Sequence, residues 1–160
     1  MSTAPERLAL AHAHGTCAAH AQALREALHD LHQRALTERD VQQPGKDDRR
    51  LLDQFAYRYT RLQDDMGARL MPAILRALQE DIAAASTLDR LNRLEQLGWL
   101  PSAEQWSELR RIRNAFAHEY PLTPAERLAQ LRIAMQAATR LLTIFDDMEV
   151  RIRQLQERLT

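Results

Sequence analysis

Cysteine is nearly absent from this chain of 160 residues, in which Cys17 is the only one. A single cysteine excludes an internal disulfide, and a lack of disulfides is typical of proteins from a reducing cytoplasm. The N-terminal residues 1–7 are polar and carry no apolar leader, and no stretch approaches the roughly 18 apolar residues of a membrane span. We therefore expect a cytoplasmic protein with neither a signal peptide nor a membrane span.

Glycine is also scarce, with four residues, and aromatic residues make up 5% of the chain. Valine occurs twice, and runs of the β-branched and aromatic residues that favour strands are missing. Alanine, leucine, arginine, glutamine and glutamate dominate instead, and these residues are strong helix formers. The composition predicts an all-α protein, and the length allows a single domain, 1–160, with a real core.

Net charge is absent as well, because 22 basic residues balance 22 acidic ones. A protein that binds polyanions over its whole surface is usually strongly basic. Contact with a nucleic acid would therefore need a local basic patch.

Signatures of several enzyme classes are missing from the sequence. It contains no glycine-rich phosphate loop, no His-Glu-x-x-His and no Gly-x-Ser-x-Gly. Nothing in it resembles the βαβ unit with paired aspartates that a minimal nucleotidyltransferase needs.

Apolar residues at steps of three and four predict long helices separated by short turns. The first helix should span residues 5–42 and end before the turn signal at 43–46. Its apolar face carries Leu10, His14, Cys17, Ala21, Leu24, Leu28, Leu31 and Ala35. A second helix should run from 48 to the low 80s, with a kink at 67–71, because Pro72 lacks an N–H and clashes with the preceding turn.

Capping signals predict the remaining helices. Ser86 opens a segment that ends at Gly98, a residue suited to a left-handed C-cap. Ser102 should cap a helix that runs to about residue 118. Thr123 precedes a proline at the first helical position of the last helix, which should run nearly to the end of the chain.

The predicted architecture is an all-α, up-and-down antiparallel bundle of four main helices plus short helical pieces, since short loops favour antiparallel neighbours. The first and last helices would each have roughly 35 residues and a length of about 50 Å. Helices of this length extend beyond a small bundle, and a second subunit could cover the overhang.

The segment Arg113–Pro121 brings a guanidinium, an amide, an imidazole and a phenol together where regular helix should stop. Arg113 should flank the apolar stripe centred on Leu109, so its charge needs an anionic or carbonyl partner. His118 lies five residues on, roughly 140° around an ideal helix. The two side chains can act together if the helix loosens at its end, which Pro121 would favour, or if two chains share the site.

These residue types suit the cleavage of a phosphodiester. Histidine exchanges a proton near neutral pH, and arginine holds a phosphate and offsets its growing negative charge. No metal is needed when a ribose 2′-hydroxyl is the nucleophile. Arg110 and Arg111 add positive charge one turn earlier and are candidate RNA contacts. A simpler interpretation stays open, in which the cluster caps a helix C-terminus, where cations are favoured.

The residues Arg113-Asn114-x-x-x-His118 resemble the R-x(4–6)-H motif of HEPN domains, which are helical bundles with this motif late in the chain. With Tyr120 the segment reads R-x4-H-x-Y and is similar to the HepT toxins of HepT/MntA toxin–antitoxin pairs. The resemblance implies a HEPN-like, homodimeric endoribonuclease of a type VII-like system, without metal or cofactor. It also implies that Arg113 and His118 are catalytic at the dimer interface and that Asn114 supports them.

The resemblance further implies a means of control. The motif tyrosine of HepT-like proteins is AMPylated by a partner nucleotidyltransferase antitoxin, with ATP as the AMP donor. Here this implies an MntA-like partner and modification of Tyr120, whose added bulk and negative charge would block RNA. One alternative is a catalytically inactive HEPN subunit that binds a nucleotide or a nucleotidyltransferase. A helical dimerisation module without chemistry is a third option.

Polar residues of the segment 49–65 are weaker candidates. A minority of them could line an interface or pair with Arg113, and we take Asp53 and Tyr57 as candidate neighbours of the site. Tyr57 could alternatively pack in the core. The simpler interpretation of the whole segment is the solvated face of a helix.

The first helix carries four possible zinc ligands, His12, His14, Cys17 and His20. Steps of three residues drift by about 60° each around a helix, so these side chains do not share one narrow face. No partner ligands at matching spacing are evident elsewhere. An ordinary helix face is the preferred interpretation, for His29 and His32 as well.

Overall fold

Every regular element that the structure describes is a helix. The computed structural model describes residues 2–118 and 121–159, and no strand occurs in these two ranges. The elements in chain order are α1 (Ala4–His32), α2 (Glu38–Gln42), α3 (Lys46–Asp65), a π-helical turn (Met66–Leu70), α4 (Met71–Ala77), α5 (Thr87–Gln96), α6 (Ala103–Ala117) and α7 (Pro124–Leu159). The all-α prediction is confirmed. None of the helices in the described ranges is long and apolar enough to cross a membrane.

The first helix is shorter than predicted. Helix α1 ends at His32 and the separate helix α2 follows, so the prediction of one helix over 5–42 is wrong. The Thr37 hydroxyl accepts the amide of Asp40 at 3.3 Å, and the Asp40 carboxylate accepts the amide of Thr37 at 2.9 Å. This reciprocal pair satisfies amides that the start of a helix leaves open, so a new helix begins at Glu38.

The kink predicted before Pro72 is present as the π-helical turn Met66–Leu70. There the Met71 amide donates to the Met66 carbonyl, five residues back rather than four. Proline supplies no N–H and would clash with the carbonyl four residues earlier, and the wider turn accommodates both effects.

Helix α4 ends at Ala77, short of the predicted low 80s, in a Schellman motif. The amide of Glu80 donates to the carbonyl of Leu75 at 3.0 Å, and the amide of Gln79 donates to the carbonyl of Arg76 at 2.9 Å. Gln79 takes the left-handed conformation, with φ of 64°. This conformation strains a residue that carries a Cβ, whereas glycine adopts it freely.

The capping signals of the last three helices are confirmed. The hydroxyls of Ser86, Ser102 and Thr123 each accept the amide three residues further on, at 3.1 to 3.2 Å. Gly98 follows α5 with φ of 78°, as expected of a left-handed C-cap. The helix that leads into the candidate site therefore has a well-defined start.

One continuous apolar core lies between α1, α3, α6 and α7 and extends over α4 and α5. Helices α1 and α3 pack antiparallel, and so do α6 and α7. Helix α7 has 36 residues and is about 54 Å long, as predicted for the last helix. The predicted apolar face of α1 is buried at Leu10, Cys17, Ala21, Leu24, Leu28 and Leu31.

Candidate functional site

Helix α6 ends where the candidate site begins. Its last helical residue is Ala117, and His118 has φ of −78° and ψ of 133°, so the chain becomes extended there. The His118 amide still donates to the carbonyl of Asn114 at 3.2 Å. The helix end predicted at about 118 is confirmed, and His118 is exposed.

The bend at His118 does not bring its side chain to the side of Arg113. The position of a Cβ atom depends on the backbone up to its own residue, and φ of −78° at His118 is close to the helical value of about −63°. The two Cβ atoms therefore leave the axis of α6 roughly 140° apart. The change of ψ redirects only the chain that follows. Within one chain, the backbone therefore keeps these two Cβ atoms on different sides of α6.

Arg113 is paired with a carboxylate of α3. Its Nη2 atom donates to Oδ2 of Asp64 at 2.6 Å, and the Arg113 and Asp64 side chains are 21% and 47% exposed. The Nε atom of Arg113 is buried and has no hydrogen-bond partner in the described part of the chain. Arg113 thus flanks the core and finds an anionic partner, as predicted. A partly exposed pair of this kind contributes about 0–1 kcal/mol, so a phosphate could replace Asp64 at small cost.

Aromatic packing attaches the end of α6 to α3. The ring of Phe116 meets the rings of Phe55 and Tyr59 edge-on, with centroid distances of 5.8 and 5.7 Å. The Tyr59 hydroxyl is buried and lacks a hydrogen-bond partner among the residues described. Burial raises the pKa of Tyr59, and the nearby charge of Arg113 acts in the opposite direction. Edge-to-face pairs add about 0.5–1.5 kcal/mol each beyond simple burial, so the backbone that carries Arg113 is firmly held.

The other predicted site residues of α6 lie at the surface. Asn114, Arg110 and Arg111 are all exposed. Arg110 lies at the edge of a cleft between α6 and α3, which is described below. Tyr120, the predicted point of modification, lies outside the residues that the structure describes.

The residue of α3 that contacts Arg113 is Asp64, whereas Asp53 is simply exposed on the same helix. Tyr57 is 53% exposed, so it does not pack in the core. Its ring lies 6.0 Å from the ring of His20, centroid to centroid. Several acidic residues between 49 and 65 were equally eligible partners, and the sequence alone could not rank them.

His20 of α1 belongs to a buried polar network. Its Nδ1 atom lies 3.0 Å from Nη1 of Arg58, and its Nε2 atom lies 3.4 Å from Oδ2 of Asp65. A guanidinium can only donate, so Nδ1 accepts and the ring proton resides on Nε2, facing Asp65. Burial, followed by the charge of Arg58, lowers the pKa of His20. The contacts of His20 with Arg58 and Asp65 are therefore structural.

Cys17 and His14 also have structural surroundings. Cys17 is fully buried, and burial raises the pKa of its thiol to about 12, which makes it unreactive near neutral pH. His14 lies 2.9 Å from the carboxylate of Glu149, between Nε2 and Oε2. Within residues 2–118 and 121–159, no three side chains of His, Cys, Asp or Glu are grouped in a way that could hold a metal ion.

Gln63 is a candidate residue that sequence interpretation overlooked. It is 2% exposed and lies on α3 between the buried residues Tyr59, Leu62 and Met66. Neither its Nε2 nor its Oε1 atom has a hydrogen-bond partner in the part of the chain that is described. The signal was present in the sequence, because a glutamine at a core position of an apolar stripe is unusual.

Comparison with protein-family models, with curated proteins and with solved structures finds no match to this chain. Its function is therefore inferred from the residues and geometry of the site.

Proposed function

We propose that the protein is a HEPN-like, metal-independent endoribonuclease, in which Arg113 and His118 of two chains form the site. The observation that carries the proposal is the end of α6. There, a guanidinium held at the edge of the core by Asp64 precedes an exposed imidazole by five residues. This combination supplies a phosphate ligand and a proton acceptor without any metal.

In the proposed reaction, His118 removes the proton of a ribose 2′-hydroxyl. The 2′ oxygen attacks the adjacent phosphorus and the P–O5′ bond breaks, which leaves a 2′,3′-cyclic phosphate. The 5′ oxygen takes a proton from the second His118 of the dimer or from water. Arg113 binds the phosphate oxygens and offsets the charge that develops on them.

The divergence of the two side chains supports a homodimer. Arg113 and His118 leave α6 roughly 140° apart. One chain would therefore contribute its Arg113 to one phosphate-binding site and its His118 to a second one. A two-fold arrangement of α6 helices would combine Arg113 of one protomer with His118 of the other. Asn114 shares the His118 face, being four residues earlier, and would support that imidazole. Arg110 and Arg111 would contact neighbouring phosphates of the RNA.

Control by a partner nucleotidyltransferase is part of the same proposal. An MntA-like antitoxin would transfer AMP from ATP to Tyr120, two residues after His118. The added phosphate would repel RNA and compete for Arg113. The resemblance of the motif R-x4-H-x-Y supports this step.

One observation favours a second candidate, a catalytically inactive HEPN subunit that binds a nucleotidyltransferase. The guanidinium of Arg113 already has a carboxylate partner in Asp64. An arginine that is paired within its own chain could serve as a structural element of a docking face. Such a subunit would bind the partner stably and would neither cleave RNA nor gain mass at Tyr120.

The test is RNA cleavage in EDTA by the purified chain and matched variants. His118→Ala should lower the rate by roughly 100-fold or more, as expected for the loss of a general base, and Arg113→Ala should act similarly. His29→Ala and Arg153→Ala remove the same side-chain types at exposed positions of other helices and should match the wild type. Equal behaviour of wild type, His118→Ala and Arg113→Ala would exclude the ribonuclease.

Co-expression with a nucleotidyltransferase encoded beside the gene separates the two candidates. Intact-mass measurement should show a gain equal to added AMP, which peptide mapping assigns to Tyr120 and which Tyr120→Phe removes. A stable complex without added mass and without ribonuclease activity would support the inactive subunit instead.

A further inference from the structure

A cleft of about 360 Å³ opens beside Asp64, between α3, the π-helical turn, the start of α4, α5 and α6. This volume is in the range of small-molecule sites, about 300–1,000 Å³. Its apolar walls are formed by Met71, Pro72, Leu91, Leu94 and Trp106. Gln63 and Asp64 line the same cleft, so it adjoins the carboxylate that holds Arg113.

Gln63 is a buried polar residue in the wall of this cleft. The side chain is 2% exposed, and within residues 2–118 and 121–159 neither amide atom finds a hydrogen-bond partner. Buried polar groups in proteins are nearly always paired, so an unpaired carboxamide directly behind a cavity wall points to a ligand that it meets when its side chain turns toward the cleft. A carboxamide presents an NH2 donor group beside a carbonyl acceptor in a single plane. It therefore matches the edge of a planar heterocycle that carries an acceptor next to a donor, as nucleobases do.

The π-helical turn forms part of the wall of the cleft. It places Gly67 opposite Trp106, and a Cβ atom at position 67 would lie 3.4 Å from Cζ2 of that indole. Any larger side chain there would fill the space beside the ring. Interruptions of this type in α-helices occur often at functional sites. Trp106 is 3% exposed, so it closes the cleft from behind, and the apolar side chains beside the unpaired carboxamide suit a planar ring of low polarity.

Two arginines line the cleft together with Asp64. Arg110 is exposed at the edge of the cleft. Arg90 is anchored by donation from Nη2 to the carbonyl of Ile82 at 3.0 Å, and its buried Nε has no hydrogen-bond partner among the described residues. These two guanidinium groups suit the phosphate of a nucleotide whose base lies against Trp106.

We propose that this cleft binds a nucleobase of the RNA substrate, with Gln63 turning toward the cleft to pair with the polar edge of the base and Arg110 binding its phosphate. The proposal rests on the proposed ribonuclease function for the source of the base, because Asp64 connects the cleft to Arg113 and thus to the scissile phosphate. A free mononucleotide offers the same base and phosphate. The two sources are separated by experiment.

The first arm measures binding of AMP, GMP, CMP and UMP to the full chain by calorimetry. At least one nucleotide should bind, and Gln63→Met, which keeps the size of the side chain, should weaken it by roughly fivefold or more. Gln54→Met makes the same change at an exposed position of α3 and should leave binding unchanged. Arg110→Ala should weaken all the nucleotides that bind, because it removes a phosphate contact. Circular dichroism and the melting temperature show whether each variant is folded.

The second arm maps the cleavage sites of a random RNA pool by sequencing. The wild type should prefer the base that binds best as a mononucleotide at one position near the cut. Gln63→Met should lose this preference and retain cleavage, and His118→Ala should retain mononucleotide binding without cleavage.

The outcomes separate this inference from the proposed function. If the chain binds a nucleotide through Gln63 but cleaves no RNA, the base site is supported and its ligand is a free nucleotide. The ribonuclease function is then excluded. The inference would be overturned if the protein cleaved RNA without base preference and if Gln63→Met bound nucleotides within twofold of the wild-type affinity. The proposed ribonuclease function would be unaffected by that result. Failure of all four nucleotides to bind would overturn it equally.

Discussion

Arg113 and Asp64 are 49 residues apart in the chain, yet Nη2 of one lies 2.6 Å from Oδ2 of the other across the contact between α6 and α3. The pair places a carboxylate beside the guanidinium that we propose binds the scissile phosphate. A phosphate and Asp64 then compete for the same donors and repel each other. Asp64 should therefore oppose RNA binding, whereas Arg113 should promote it.

Asp64→Asn should tighten RNA binding by up to about fivefold, since removing a charge about 4 Å from another in water changes the energy by about 1 kcal/mol. Fluorescence anisotropy with labelled RNA, in a His118→Ala background that prevents cleavage, measures the effect. Asp53→Asn removes the same charge from an exposed position of α3 and should change affinity less. Weaker binding by Asp64→Asn would mean that Asp64 mainly orients Arg113.

His20 should make the stability depend on pH. Burial and Arg58 lower its pKa in the folded protein from the usual 6.5. The stability contributed by neutral His20 is therefore present above pH 6.5 and is lost as the pH falls through the lower folded pKa. In urea unfolding between about pH 7.5 and about pH 5, the wild type should lose more stability than His20→Gln, which cannot titrate. His29→Gln, at an exposed position, should follow the wild type, and parallel curves for all three proteins would contradict the prediction.

Gln63→Met should stabilise the fold. The substitution removes a buried amide without partners in the described part of the chain, a group that costs about 1–3 kcal/mol, and keeps a side chain of similar size. Urea unfolding should show a gain of roughly 1 kcal/mol or more. Gln54→Met, on the exposed side of α3, should stay within about ±0.5 kcal/mol. A loss of stability at position 63 would indicate that the amide is paired in solution.

Gln79→Gly should also stabilise the protein, for a different reason. Gln79 has φ of 64° at the end of α4, where glycine avoids the clash of the Cβ atom. We expect a gain of about 0.5–1 kcal/mol, which corresponds to a rise in Tm of roughly 1–4 °C in a chain of this size. Gln33→Gly is the matched control, because Gln33 caps α1 with φ of −78° and ψ of −11°. It should destabilise or have no effect, and a gain at Gln33 as large as that at Gln79 would refute the explanation.

Local signals were sufficient to predict much of the helical framework. The caps at Ser86, Ser102 and Thr123 depend on residues three positions apart, so they are visible in the sequence. The kink before Pro72 follows from the chemistry of one residue. One error of this kind came from continuing an apolar stripe through Ala35, although the capping pair at Thr37 starts a new helix.

Contacts between distant segments set the limit of prediction. The requirement for an anionic partner of Arg113 followed from its place on the helix, but the choice of Asp64 over Asp53 depends on how α3 and α6 pack. Gln63 could have been noticed as a polar residue at a core position. That it lines a cleft beside Trp106 required the structure.

The burial of Cys17 has a practical consequence for experiments on assembly. Its thiol is fully buried and has a pKa of about 12, so it should resist labelling reagents near neutral pH. A cysteine introduced at an exposed position of α6, such as Ala115, would then be the main reactive thiol of the chain. Cross-linkers of graded length on such variants can test the proposed dimer and measure the distance between its two α6 helices without removal of the native cysteine.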